Sequence, residues 1–135
     1  MATQLSVTVR NARLDAIETA TGVSAVLKIR TGSQPADCSQ ADSGTALAAL
    51  TLPADWLSAA AAGSKAKLGS WTTSAALASG TAAHFRLYAS DGTTCHMQGT
   101  VTVSGGGGDL TLDNIAITIN GTVTITAWTL TDANA

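Results

Sequence analysis

Charge is scarce in this chain. Only 12% of its 135 residues are Asp, Glu, Lys or Arg, against roughly 25% in an average soluble domain. The formal net charge of -2 gives no attraction to phosphates, so no nucleic acid is expected as a partner. Ala, Thr and Gly take the place of the missing charges. Such a composition fits either a Thr-rich monomer surface or one covered by other subunits, because interface cores are depleted in charged residues. Long apolar runs are missing too. No stretch approaches the ~20 apolar residues of a membrane span, and no membrane partner is expected. The start, MATQLSVTVR, has no basic segment followed by an apolar run, so no secretory signal is visible. The expectation is a protein made and assembled in the cytoplasm, or carried out by something larger than itself. Cysteine is down to two residues, Cys38 in a polar loop and Cys95 in a strand. Without a signal segment they read as free thiols. The alternative is a disulfide between them, which needs Cα atoms within about 7 Å.

What the chain does have is alternation. Ile115, Ile117 and Ile119 alternate with Ala and Thr, and Val123, Ile125 and Ala127 alternate with Thr. A period of two marks a strand with one buried and one wet face, and Thr suits the wet face. The same pattern predicts strands at 4–10, 25–30, 46–52 and 65–73. Asn11 is a good N-cap, Leu14 and Ile17 fall on one helical face, and Gly22 can close the C-terminus, so a short helix is expected over Ala12–Thr21. Its other face carries Arg13, Asp15 and Glu18, a solvated face or a place for a neighbouring subunit. Gly32 to Gly44 reads as a loop of turn formers. Asp55 could cap a single helical turn from Trp56 to Ala62.

Around Asp91, the face pattern favours a three-residue loop, Ser90-Asp91-Gly92, with Leu87 opposite Cys95, Phe85 opposite Met97 and Gly92 left-handed. At Asn120-Gly121 the faces do not match a two-residue turn, so an irregular turn is expected, with a bend near Ala127-Trp128. The sum is one all-β domain over 1–135: an antiparallel β-sandwich, jelly-roll-like, of about eight strands with one short N-terminal helix.

Candidate chemistry is thin. Ser104 to Gly108 has the glycines of a phosphate loop without its lysine or a following helix, and reads as a flexible connection. His84 and His96 share a predicted strand face with Arg86 opposite His96 and Cys95 on the other face, which is too few ligands for zinc beside an adjacent cation. No nucleophile has a supporting pair. Asp37, Asp42 and Asp55 sit in loops without a site-like spacing. No metal, cofactor or catalytic residue is assigned. Trp71 and Trp128 are expected in the core. Trp56 and Tyr88 are the aromatic residues expected at the surface, as contacts for a subunit or a sugar.

The stretches VRNARLDAIETATG, VLKIRTGSQP, ALAALTLP, HFRLYASDGTTCHMQGTV, GDLTLDN and NGTVTITAWTLT run in order from Val9 to Thr131. Together they resemble a group of small β-rich virion proteins encoded among the structural genes of tailed bacteriophages. The resemblance implies a non-enzymatic virion component, assembled in the host cytoplasm, that decorates or cements the capsid or forms part of the neck or collar. Its implied partners are major capsid or portal and neck proteins and further copies of itself. The competing reading is a carbohydrate- or receptor-binding module of a tail accessory that uses Trp56 and Tyr88. The loops Gly32–Gly44 and Ser104–Asp109 would then be expected to order on assembly, since turn-rich segments have little to bury alone.

Overall fold

A helix stands where the N-terminal alternation predicts a strand. The computed structural model describes residues 3–133 and places helix α1 at Val7–Thr21. Ser6, not Asn11, is its N-cap: the Ser6 hydroxyl accepts from the Val9 N–H at 3.3 Å, satisfying one orphan donor of the first turn. Asn11 lies inside the helix and accepts from the Gly63 N–H at 2.9 Å. Val7 and Val9 are each 45% exposed, so their alternation records no buried face. Gly22 ends the helix as expected, with a positive φ and its N–H bonded to the Glu18 carbonyl at 2.8 Å.

The charged side of α1 packs against the same chain. Lys65, only 3% exposed, reaches Asp15 at 2.7 Å and Glu18 at 2.9 Å. Arg13 pairs with Asp132 at 3.2 Å. Burial alone would lower the Lys65 pKa, but the hydrogen bonds to Asp15 and Glu18 outweigh it and raise the value. A buried ammonium with two carboxylate partners is a tolerated one.

The rest of the described chain is β structure in eleven short strands. They are β1 (Val26–Arg30), β2 (Ala46–Thr51), β3 (Ser64–Ala66), β4 (Trp71–Thr73), β5 (Gly80–Thr81) and β6 (His84–Tyr88), then β7 (Cys95–Val103), β8 (Leu110–Leu112), β9 (Ala116–Ile117), β10 (Val123–Ile125) and β11 (Thr129–Thr131). One sheet has five strands in the order β2-β1-β6-β7-β8, and three two-stranded ribbons pair β10 with β4, β11 with β3 and β5 with β9. All pairs are antiparallel except β7 with β8, which is parallel. The fold is therefore mostly β with one helix, and its sheet structure is mixed and fragmented.

Eleven strands stand in place of the expected eight: the 4–10 strand is lost to the helix, 65–73 is split, a short β5 is added, and the alternation after Asp109 yields the four short strands β8 to β11. Gly69, at φ +73°, divides 65–73 into β3 and β4. The C-terminal alternation divides further. Asn120 takes φ +63° in a turn closed by Gly121 N–H to Thr118 O at 2.9 Å. The strands on its two sides then pair elsewhere, β9 with β5 and β10 with β4, so no hairpin forms there. The expected bend near Trp128 is the gap between β10 and β11. No helical turn forms at 56–62. That segment doubles back on β3 through a two-residue turn in which Ala61 and Ser64 exchange both backbone bonds at 2.9 Å. Ala62 and Gly63 carry φ of +52° and +75°, the pairing that a primed hairpin turn demands.

The glycine run has a structural task. Parallel neighbours ordinarily need a crossover of about a dozen residues, but here the short Ser104–Asp109 connection folds back so that Leu110 lies beside Val101. A Cβ at Gly106 or Gly108 would meet Thr102 at 2.8 Å, so side chains are excluded from this reversal. Asp109 closes it by accepting from the Thr100 N–H and hydroxyl, both at 2.9 Å.

The core draws side chains from both the five-stranded sheet and the ribbons. Trp71 and Trp128 are in it, as expected. Trp56, expected at the surface, is fully buried. Its indole N–H donates to the Gly22 carbonyl at 2.9 Å, and its ring lies 6.1 Å from that of Trp71. The single polar atom of the indole is thus satisfied at the helix end, which removes the cost of burying it.

Candidate functional site

Strand β6 is buried at all five positions, although its alternation predicts one wet face. Phe85 and Leu87 face the core. His84, Arg86 and Tyr88 face the other way and are roofed by the loop 32–44. The sheet holds that loop through a row of side chains aimed at its carbonyls. His84 Nδ1 lies 2.7 Å from Gly32 O, so this nitrogen carries the proton. Gln98 donates to Pro35 O at 2.6 Å. Arg86 donates to the carbonyls of Asp37 at 3.3 Å, Cys38 at 3.1 Å and Gln40 at 3.1 Å, and to the Asp42 carboxylate at 2.5 Å. Arg30 donates to Ser43 O at 2.8 Å and Gly44 O at 3.2 Å. The loop therefore carries within the chain the fastenings that the sequence reading assigned to assembly.

Asp42 is the anionic centre. It accepts from Arg86 and from the Tyr88 hydroxyl at 2.6 Å, and lies 3.5 Å from Arg30. Burial pulls its pKa up, but the bonds from Tyr88 and Arg86 outweigh this and hold it below the ordinary carboxylate value. Tyr88, expected at the surface, is only 1% exposed. Burial and the bond to Asp42 both raise its pKa, so it stays a neutral donor. Lys28 lies 4.8 Å above the Tyr88 ring and donates to Gly92 O at 2.8 Å, tying the β6–β7 turn to the same face.

The register of the Asp91 hairpin explains which residues meet. Leu87 pairs with Met97 and Phe85 with Gly99, not with Cys95 and Met97 as expected. The loop is longer than three residues, since the Ala89 N–H bonds Thr94 O at 3.0 Å, while Gly92 does take the left-handed φ of +70°. Asp91 shapes the turn by accepting from Thr93 N–H, Thr94 N–H and the Thr94 hydroxyl. A bulge between Leu87 and Tyr88 then sets Tyr88 opposite Cys95. One residue of slip inverts a strand face, so Cys95 lies on the loop side, contrary to expectation, while His96 is exposed beside Arg13, Ala16 and Ile17 of α1. The two histidines are not brought together, and Arg86 faces Gln98, not His96.

Cys38 and Cys95, by contrast, are brought together. Both line one cleft with Lys28, Asp42 and Arg86, and the Cys95 thiol points its weak donor at the Met97 carbonyl, 3.5 Å away. Both are thiols in the structure. Burial first, and then contact with Cys38, pushes the Cys95 pKa up to about 11. Thus the Tyr88 hydroxyl and the Cys95 thiol are both shifted away from ionisation, the reverse of what activates a nucleophile. Among the described residues no three His, Cys, Asp or Glu side chains converge as a metal ion needs. Asp42 and Arg86, which organise the cluster, carry no local sequence signal beyond an arginine in an alternating strand.

His84 gives the cluster a pH dependence. The side chain is 1% exposed and its Nε2 has no hydrogen-bond partner. Burial, with Arg30 and Arg86 nearby, lowers its pKa against the opposing pull of Gly32 O and Asp42. The unfolded chain therefore takes up the proton more readily than the folded one. Stability is full above the unfolded value of about 6.5 and falls as pH drops from there toward the folded value. Urea midpoints should be lower at pH 5.5 than at pH 7.5, and His84→Asn should flatten the difference. An unchanged pH dependence in that variant would remove His84 as its source.

What the cluster does chemically is hold a loop: two arginines, a histidine and a glutamine donate hydrogen bonds to its carbonyls, and the arginines also face the Asp42 carboxylate. No protein-family model, curated protein or solved structure matches the chain.

Proposed function

We propose that the chain is a non-enzymatic structural component of a tailed-bacteriophage virion that decorates or cements the capsid or forms part of the neck or collar, acting as a homo-oligomer. The five-stranded sheet and the ribbons opposite it are read as the two layers of a small sandwich built for this role. The observation that carries the reading is the use made of Arg86. Its Nη donors go to the carbonyls of Asp37, Cys38 and Gln40 and to Asp42, so the polar interior is spent on fixing a surface loop. A loop already fixed binds a neighbour without the cost of being ordered. The low charge of the chain favours contact with capsid or portal proteins and with other copies. The glycan-binding alternative loses its residues, because Trp56 and Tyr88 are both buried.

Immunogold labelling of intact purified particles tests the proposal. Label over the shell is the decoration outcome, and label confined to the head–tail junction is the collar outcome. Particles that carry no label, when the same antibody binds detergent-opened particles no better, overturn it.

A further inference from the structure

We infer that Cys38 and Cys95 are a redox pair that closes, on meeting a low-molecular-weight disulfide, into an intrachain disulfide that bolts the loop 32–44 to β7. Three features of the structure converge on this. The first is delivery. Arg86 holds the Cys38 carbonyl at 3.1 Å and the Gln40 carbonyl at 3.1 Å, so the backbone on either side of Cys38 is fixed above the sheet. Gln98 fixes the same loop at Pro35. The second is the bulge between Leu87 and Tyr88, which pairs Cys95 with Tyr88 and so turns it to the loop side. Without that slip the thiol would point to the opposite face. The third is proximity: both cysteines line the same cleft, and each is half-buried, open enough for a small reagent.

The chemistry balances as two thiol–disulfide exchanges. The Cys38 thiolate attacks one sulfur of oxidised glutathione, forming a mixed disulfide and releasing one glutathione thiolate, which takes up a proton. Cys95 gives up its proton and attacks the Cys38 sulfur. That breaks the mixed disulfide, releases the second glutathione and leaves the Cys38–Cys95 bond. Two protein thiols are oxidised, and one glutathione disulfide is reduced to two thiols. The bond would close a long segment of chain, which raises stability mainly by restricting the unfolded state.

The test uses the full-length protein incubated with oxidised glutathione, then denatured and alkylated with iodoacetamide. The expected product is two hydrogens lighter, takes up no alkyl group, carries no glutathione and stays monomeric on non-reducing gels. After trypsin, the Cys38 peptide is joined to the Cys95 peptide. Its Tm should exceed that of the reduced protein by roughly 10 °C, and dithiothreitol should reverse the shift. Cys38→Ser and Cys95→Ser should each leave one alkylatable thiol or a stable glutathione adduct. The wild-type peptide map suffices should either variant fold poorly. Two alkylatable thiols, two glutathione adducts or a disulfide between chains in the treated wild type would each overturn the inference.

Discussion

Arg86→Ala is expected to lower folding stability by about 3 kcal/mol, a large share of the roughly 5–15 kcal/mol that holds a domain together. Its guanidinium is buried and supports Asp42 together with three loop carbonyls. Removing one member of a buried pair typically costs 3–5 kcal/mol, since the other is left uncompensated. Two features place this site at the lower end. Asp42 is 36% exposed and keeps Tyr88 and Arg30, so water and those partners absorb part of its charge. Arg86 Nε has no partner, and deleting the side chain relieves that deficit. Arg86→Lys should recover only part of the loss, because one ammonium cannot reproduce a planar fork that serves carbonyls on two sides. Urea unfolding gives the stability change. Limited proteolysis gives the local one: cleavage within 32–44 should accelerate far more than cleavage elsewhere. If Arg86→Ala keeps both the wild-type midpoint and the protected loop, the loop is not held by this arginine.

The parts of the fold that were legible in the sequence are those where one face is buried and the other is wet. β1 alternates in burial and forms where the pattern places it, and Gly22 closes the helix at the residue the pattern names. Elsewhere the same signal misleads for a physical reason. At Leu5, Val7 and Val9 the alternation has no packing partner, and a serine cap with the helix behind it decides the local structure. In β6 the alternation is real, but a loop more than forty residues away in sequence covers the supposed wet face, so His84, Arg86 and Tyr88 are as buried as Phe85 and Leu87. Local periodicity carries no information about what will roof a strand. Trp56 was hidden in the same way, because its burial depends on the Gly22 carbonyl, which no short window around it contains. The placement of Cys95 beside Cys38 turned on a single bulge that the loop length alone did not determine.

Trp71→Ala should be the most destabilising single truncation in the molecule, at about 4 kcal/mol, within the 3–5 kcal/mol typical of emptying a large aromatic site. Trp71 has no exposed surface and sits in the middle of a chain of rings. Trp56 is 6.1 Å away on one side, Trp128 meets it edge-on at 5.3 Å on the other, and Phe85 continues the series 5.8 Å from Trp128. Through these contacts the β4–β10 ribbon, where Trp71 pairs with Ile125, is fastened to β6 of the main sheet. The indole N–H also donates to Leu68 O at 3.1 Å, so alanine would leave that carbonyl without this partner as well as opening a cavity. Trp71→Phe keeps most of the ring packing and loses the hydrogen bond, and a cost of about 1–2 kcal/mol is expected. Guanidinium unfolding of the two variants separates the packing and polar contributions, and the near-ultraviolet dichroism of the coupled indoles should collapse in Trp71→Ala while the far-ultraviolet β signal persists below the transition. A cost under about 1 kcal/mol for the alanine variant would mean that the ribbons are held to the sheet by something other than the tryptophan series.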